Sequence, residues 1–99
     1  MTEQAVATVQ YETERCRVTE YRFAPGAETG FHRHAYDYVV VPQTSGTLEI
    51  VAPDGSRSRS ELTAGQSYGR GVGVAHNVIN ANDHEFVFVE VELKEEPDA

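Results

Sequence analysis

Two histidines separated by one residue are the first feature of this sequence that could do chemistry. His32 and His34 follow a glycine-bounded turn that begins at Gly26. In an extended segment the side chains alternate in direction, so both imidazoles point to the same face and can hold one ion between them. Histidines at this spacing also occur on solvent-exposed strands, so the prediction of a metal site depends on finding a further ligand.

A third histidine, His76, supplies that ligand and follows a second glycine-rich turn within residues 65–80. Together with His32 and His34 it would offer three neutral imidazoles to zinc, iron, copper, nickel or manganese, with the remaining positions left to water or substrate. We therefore predict one divalent metal held by these three residues. His84 stands beside a turn and is predicted to be a solvated loop residue outside the site.

The elements that must position these histidines are β-strands, because β-branched residues and period-two alternation recur along the chain. A histidine strand follows Gly30 and is expected to continue through Tyr38. Other strands are predicted at residues 5–12, 15–24, 36–41, 46–52, 56–62, 75–81 and 85–93. The strand at 56–62 is polar, which is typical of a sheet edge or a solvent face. About eight short strands with frequent turns predict an all-β sandwich or barrel.

The length of 99 residues is enough for one domain with its own core. We predict a single barrel domain over residues 1–94. The charged residues 95–99 are expected to form a frayed acidic tail.

Charge and cysteine content limit the classes of partner and compartment. The net charge is −8, from 16 acidic and 8 basic residues, whereas nucleic acid and anionic membrane surfaces bind cationic proteins. No segment has the apolar length of a membrane span, and the single cysteine, Cys16, cannot form an internal disulfide. We therefore expect a soluble cytoplasmic protein with no nucleic-acid or membrane partner.

The first histidine segment resembles the first sequence motif of the cupin family. That motif consists of a glycine, an HxH pair, an acidic metal ligand and a distal glycine. Gly26, His32, His34 and Gly46 fall on this pattern, and Tyr38 stands at the acidic position.

The later segment resembles the second cupin motif, which combines two glycines, a histidine and an asparagine. Gly65, Gly73, His76 and Asn80 match it, and Gly71 stands where a proline is usual. The two motifs and their flanking strands cover most of the chain. The resemblance implies a small double-stranded β-helix, or jelly-roll barrel, with the histidines inside it around a divalent metal.

The same resemblance implies further properties. Small cupins commonly form homodimers, often through a terminal strand, and some three-histidine cupins use ferrous iron and dioxygen to open C–C bonds or to oxidise thiols. The run from Tyr36 to Pro42 also resembles short stand-alone cupins, some of them named for a β-alanine degradation pathway.

Strand alternation predicts which residues beside the histidines enter the site. His32, His34, Tyr36 and Tyr38 share one parity, so Tyr38 is expected to face the histidines and Asp37 to face away. A bulge near Tyr36 would reverse this arrangement and admit Asp37. Tyr38 and Tyr36 are the candidate catalytic residues, which would orient a ligand or move a proton, although simple packing explains them equally well.

Tyr36, Tyr68 and Asn80 are candidates for lining the pocket. Tyr68 and Asn80 could contact a ligand or serve only the fold. Arg70 is the cation nearest to the third histidine in sequence and could steer an anion, but an exposed arginine on a turn needs no function.

These features leave two main functions open. The first is a metal-dependent, dioxygenase-like enzyme acting on a small anionic molecule. The second is a non-catalytic module that binds a metal or a metabolite as an accessory to a pathway. A metal-free isomerase-like or epimerase-like cupin is a third, less favoured interpretation.

Overall fold

The computed structural model describes residues 3–94, and the predicted acidic tail at 95–99 lies outside the described residues. No helix in the described range is long and apolar enough to cross a membrane. The described chain forms nine strands, namely β1 Val6–Glu12, β2 Cys16–Phe23, β3 His32–Arg33, β4 Asp37–Pro42, β5 Gly46–Val51, β6 Arg57–Leu62, β7 Tyr68–Arg70, β8 Ala75–Asn80 and β9 Phe86–Leu93.

The strands form two sheets that face each other. One has five strands in the order β1-β2-β9-β4-β7, and the other has four in the order β3-β8-β5-β6. Neighbouring strands in both sheets are antiparallel. The all-β prediction is confirmed, and the polar strand β6 lies at a sheet edge as expected.

The core between the sheets is built from alternate residues of these strands. Phe23 and Phe86 are fully buried, and Phe88 packs against Phe23 with ring centroids 5.5 Å apart. Leu48 of the four-stranded sheet is also fully buried in this cluster. Burial of each such side chain stabilises the fold by about 2 to 3 kcal/mol. This cluster thus joins the five-stranded sheet to the four-stranded sheet that carries His32 and His76.

The predicted continuous histidine strand is wrong. β3 ends at Arg33 and belongs to the four-stranded sheet, whereas β4 begins at Asp37 and belongs to the five-stranded sheet. Residues 34–36 carry the chain from one sheet to the other. The glycine-rich segment before His76 contains turns at residues 64–65 and 72–73, as predicted, and between them Tyr68–Arg70 form β7, which pairs with β4.

Candidate metal centre and cavity

Strand pairing brings the first and third histidines together. β3 and β8 run antiparallel, and His32 lies directly opposite His76 in their ladder. Directly opposed residues of an antiparallel pair project from the same face, with their Cβ atoms about 5 Å apart. The ladder therefore makes neighbours of two residues that are distant in sequence.

His34 lies between the regular strands and is held by the turn before β8. Its N–H donates to the Val74 carbonyl at 2.8 Å, and its own carbonyl accepts the Gly73 N–H at 2.9 Å. Gly73 has a φ of 93°, in the left-handed region that glycine adopts without a steric penalty. One turn therefore positions both His34 and the strand that carries His76.

The three imidazoles converge through their Nε2 atoms. Nε2 of His34 lies 3.1 Å from Nε2 of His32 and 3.2 Å from Nε2 of His76. One ligand atom from each residue lies within 4.8 Å of the other two. Two neutral ring nitrogens at this distance can form only one hydrogen bond, so a shared cation satisfies the three nitrogens better than hydrogen bonding does.

The ring of His32 is oriented by the backbone behind it. Its Nδ1 lies 2.9 Å from the Gly30 carbonyl oxygen. A carbonyl only accepts, so Nδ1 carries the proton and Nε2 presents its lone pair to the other histidines. A ring N–H donated to a carbonyl is the usual support behind a metal-binding histidine. The set of donors therefore fits a divalent metal of the kind that imidazole nitrogens bind.

The protonation states of the histidines agree with this fit. Burial, assisted by the neighbouring His32, lowers the pKa of His34 to about 4. Burial also lowers the pKa of His76 to about 4, with smaller contributions from His32, His34 and Arg70. Both rings are neutral at pH 7, which is the state that binds metal ions.

An inner cavity of about 150 Å³ lies between the sheets beside the histidines. Val40, Leu48, Ile50, Val78 and Phe88 form its apolar wall. Besides His32 and His76, its polar wall includes Tyr38, Ser58, Ser60, Tyr68, Arg70 and Glu90. A more open outer groove of about 460 Å³ contacts His32 and His34 and extends to Ala7 and Val9 of β1. The histidines therefore line both spaces: His32 and His76 line the inner cavity, and His32 and His34 line the outer groove.

Tyr38 packs against His34 and faces the inner cavity. Its ring stacks on the imidazole with centroids 3.8 Å apart and an interplanar angle of 18°. The side chain is 3% exposed, and its hydroxyl is buried without a hydrogen-bond partner. Burial, together with nearby Glu90, raises the pKa of Tyr38 to about 12, so the hydroxyl stays protonated. It is therefore a donor that an acceptor on a ligand could satisfy.

Asp37 and Tyr36 lie farther from this arrangement. Asp37 is exposed, and its Oδ1 accepts the Val72 N–H at 2.8 Å, so the predicted opposite directions of Tyr38 and Asp37 are observed. Tyr36 is half-buried in the bend between β3 and β4. Within residues 3–94 it lines neither the inner cavity nor the outer groove.

Glu90 is a candidate that the sequence analysis did not identify. It is 5% exposed, lines both the inner cavity and the outer groove, and places Oε2 at 3.8 Å from Nδ1 of His34. Burial and the nearby Glu92 raise the pKa of Glu90 to about 7, against the opposing effect of Arg17. With His34 neutral, the two side chains do not form an ion pair at pH 7. The carboxyl stands behind His34, on the side of Nδ1.

The remaining predicted pocket residues divide into two groups. Tyr68 lines the inner cavity, as predicted, and Arg70 lines it as well. Asn80 is 1% exposed, and its Nδ2 lies 3.3, 3.2 and 2.8 Å from the carbonyl oxygens of Phe23, Ala24 and His84, respectively. Asn80 thus ties strand ends together and lines neither space in the described structure. The exposed side chain of His84 lies outside the histidine cluster.

Comparison with known proteins identifies close relatives, although no family model matches the chain. The β-alanine degradation protein BauB of Pseudomonas aeruginosa is 62% identical over 91 residues, covering 92% of this chain and 95% of that protein. The crystal structure of a cupin domain from Bordetella pertussis Tohama I is 56% identical, with a TM-score of 0.92 and coverage of 96% and 98%. A cupin superfamily protein from Desulfitobacterium hafniense shares the fold at 13% identity, with a TM-score of 0.72 and coverage of 96% and 82%.

These similarities confirm the predicted double-stranded β-helix. Because relatives at 62% and 56% identity extend over nearly the whole chain, this protein belongs to the cupin family.

Proposed function

We propose that the protein binds one divalent metal through His32, His34 and His76. The observation that carries this proposal is the convergence of the three Nε2 atoms, at 3.1 and 3.2 Å, on residues that line the inner cavity and the outer groove. Iron, zinc, manganese, nickel and copper all accept imidazole nitrogen, so the ligand set alone does not select among them.

We further propose that the site acts on a small anionic metabolite. A bound divalent metal would supply Lewis-acid chemistry or, as iron, redox chemistry with dioxygen. The name of the Pseudomonas relative suggests a role in a pathway that degrades β-alanine. In this proposal Tyr38 donates a hydrogen bond to the ligand, because its hydroxyl is buried and unpartnered. We assign that contact to Tyr38 rather than to Tyr36, which lines neither space.

A metal-dependent, dioxygenase-like activity is the preferred form of this proposal, and a non-catalytic accessory module is the alternative. Oxygen consumption by the iron-loaded protein, measured against thiols, β-diketones and small acids, distinguishes them. Uptake that depends on one class of compound favours the enzyme. Flat traces across the panel favour the binding module.

Metal content tests the common basis of both forms. We expect tag-free protein to contain close to one metal per chain by elemental analysis, and His76→Ala to abolish it. His84→Ala is the matched control, because it removes an exposed histidine outside the cluster. Metal-free wild-type protein, or equal metal content in the two variants, would overturn the proposal.

We also propose that the protein forms a homodimer in the cytoplasm. β1 is an edge strand that exposes Val6 by 60%, Val9 by 53% and Tyr11 by 61%, and a second copy would cover these side chains. Cys16 is a free thiol, which suits a reducing compartment. Light scattering after size exclusion tests the dimer, and a monomeric mass at micromolar concentration would contradict it.

A further inference from the structure

We infer that Arg70 makes the site selective for a short, two-ended carboxylate, one end of which pairs with Arg70 while the other reaches the three histidines. This inference rests on the metal site proposed above and goes beyond it by naming the chemical class of the ligand and the residue that selects it.

The first argument is the position of Arg70. It lies opposite Tyr38 in the ladder between β7 and β4, so both residues project from the same face of the sheet. Tyr38 stacks on His34, and Arg70 lines the same inner cavity as His76. The guanidinium is therefore on the side of the sheet that holds the histidines.

The guanidinium of Arg70 contacts an aromatic ring and is not paired with a carboxylate in the described structure. Arg70 is exposed, and its Cζ lies 4.9 Å from the centre of the Tyr68 ring, a cation–π contact with another residue of the cavity lining. Among residues 3–94, the ion pairs of the protein involve other arginines and leave Arg70 without a carboxylate partner. Its N–H groups can therefore take a carboxylate in the two-pronged geometry that arginine favours.

The third argument is the pattern of polar groups along the inner cavity. Arg70 is the permanently charged group among the side chains that line it, and the Tyr38 hydroxyl is a buried donor without a partner. Ser58 and Ser60 add hydroxyls from β6, at the edge of the facing sheet. A ligand that reaches both the histidines and Arg70 passes these groups, so it should carry oxygen acceptors at both ends.

The volume of the inner cavity limits the size of the ligand. A cavity of about 150 Å³ is comparable to one that holds a benzene molecule in another protein, which corresponds to about six non-hydrogen atoms. The mouth of the cavity allows a few atoms more. Dicarboxylates with three to five carbons are therefore suitable probes, because they place two carboxylates at graded separations.

The test uses the zinc-loaded full-length protein and matched pairs of probes: malonate with propionate, succinate with butyrate, and glutarate with valerate. Each pair differs by one carboxylate. By calorimetry we expect at least one dicarboxylate to bind about tenfold more tightly than its monocarboxylate partner, the advantage that a charge-assisted hydrogen bond supplies. The Arg70→Met variant should lose this preference for the dicarboxylate, and the Arg70→Lys variant should keep part of it.

Arg59→Met is the matched control. It removes the same charge from β6, the edge strand of the facing sheet, at a side chain that does not line the cavity. Zinc stoichiometry and far-UV circular dichroism of each variant are measured first, so that loss of folding or of metal is not mistaken for loss of selectivity. We expect both arginine-to-methionine variants to bind zinc as the wild type does.

The outcomes separate the two proposals. If the wild type binds no zinc, the metal site itself is wrong, and this inference falls with it. If zinc binds but no dicarboxylate is preferred, or if the two arginine-to-methionine variants change the preference equally, the inference is overturned and the metal site stands. Loss of the preference in Arg70→Met alone supports the inference.

Discussion

Replacing Glu90 with glutamine should stabilise the metal-free protein at pH 8 and have much less effect at pH 5. Glu90 is 5% exposed, and burial with the nearby Glu92 raises its pKa from 4.5 to about 7. The folded state therefore holds the proton more tightly than the unfolded state does. The stabilisation that comes from the raised pKa of this carboxyl is fully present below pH 4.5 and is lost as the pH rises through 7. Glutamine has no proton to lose and avoids this loss.

The magnitude follows from the size of the pKa shift. A difference of about 2.5 pKa units corresponds to about 3 kcal/mol of destabilisation once the carboxyl is ionised in both states, near pH 8. At pH 5 the same linkage gives a destabilisation of only about 1 kcal/mol. The benefit of Glu90→Gln should therefore grow by about 2 to 3 kcal/mol between pH 5 and pH 8. This figure is an upper value, because the folded site can relax around the ionised carboxylate.

Urea unfolding of chelator-treated wild-type and Glu90→Gln protein at pH 5, 6, 7 and 8 measures the effect. Glu14→Gln is the matched control, because it makes the same chemical change at an exposed position in the turn between β1 and β2. Its effect should be small and constant with pH. A difference between Glu90→Gln and wild type that stays constant from pH 5 to pH 8, or that shrinks as the pH rises, would refute the reasoning.

Three further predictions use the same unfolding measurements. Tyr38→Phe removes a buried hydroxyl that has no partner, so stability should stay level or rise by about 1 kcal/mol, and a loss above that would mean that the hydroxyl is bonded. Asn80→Ala should cost about 3 kcal/mol because it removes the donor shared by three buried or partly buried carbonyls, and a cost below 1 would contradict that role. In a metal-free Glu90→Gln background, stability should fall from pH 6.5 to pH 4, because the lowered pKa values of His34 and His76 mean that the unfolded state binds more protons. Stability that does not change between pH 4 and pH 6.5 would contradict the neutral state of the buried His34 and His76.

The fold and the three histidines could be predicted because their signals are local. β-branched alternation located most strands to within one or two residues, as in β5, predicted at 46–52 and observed at Gly46–Val51. The histidines followed from two glycine-bounded segments, whose geometry depends on backbone conformations that glycine adopts. Gly73 with its φ of 93° is one example, and its hydrogen bonds to His34 join the two segments in space.

The continuous histidine strand was wrong because alternation alone does not reveal which sheet a strand joins. His34 faces His32 through its bonds to the Gly73 turn, and not through the parity of one unbroken strand. Tyr38 reaches the same site from the other sheet. The parity argument thus gave the correct directions for Tyr38 and Asp37, although the chain changes sheets between His34 and Asp37.

Glu90 was missed for a related reason. The strand predicted at 85–93 carries its carboxylates within an apolar run, and the sequence alone did not indicate which of them face inwards. The structure keeps one parity facing inwards along β9, so Glu90 and Glu92 follow Phe88 into the interior. β9 lies in the middle of its sheet, between β2 and β4, and the burial of Glu90 and Glu92 becomes visible only in the folded structure.

Tyr38 and Glu90 together determine the charge that the proposed metal would present. A carboxylate at position 38 would place a negative charge beside the converging nitrogens, whereas the phenol there is neutral. Glu90 lies on the Nδ1 side of His34, 3.8 Å from that nitrogen, and it also lines the inner cavity. Three neutral imidazoles would leave a divalent ion its full charge in a partly buried site, where charges act more strongly than in water. Arg70 adds a second positive group to the same cavity. The chain as a whole carries a charge of −8, which repels large polyanions, so under this proposal the metal and Arg70 would favour anions small enough to enter the cavity.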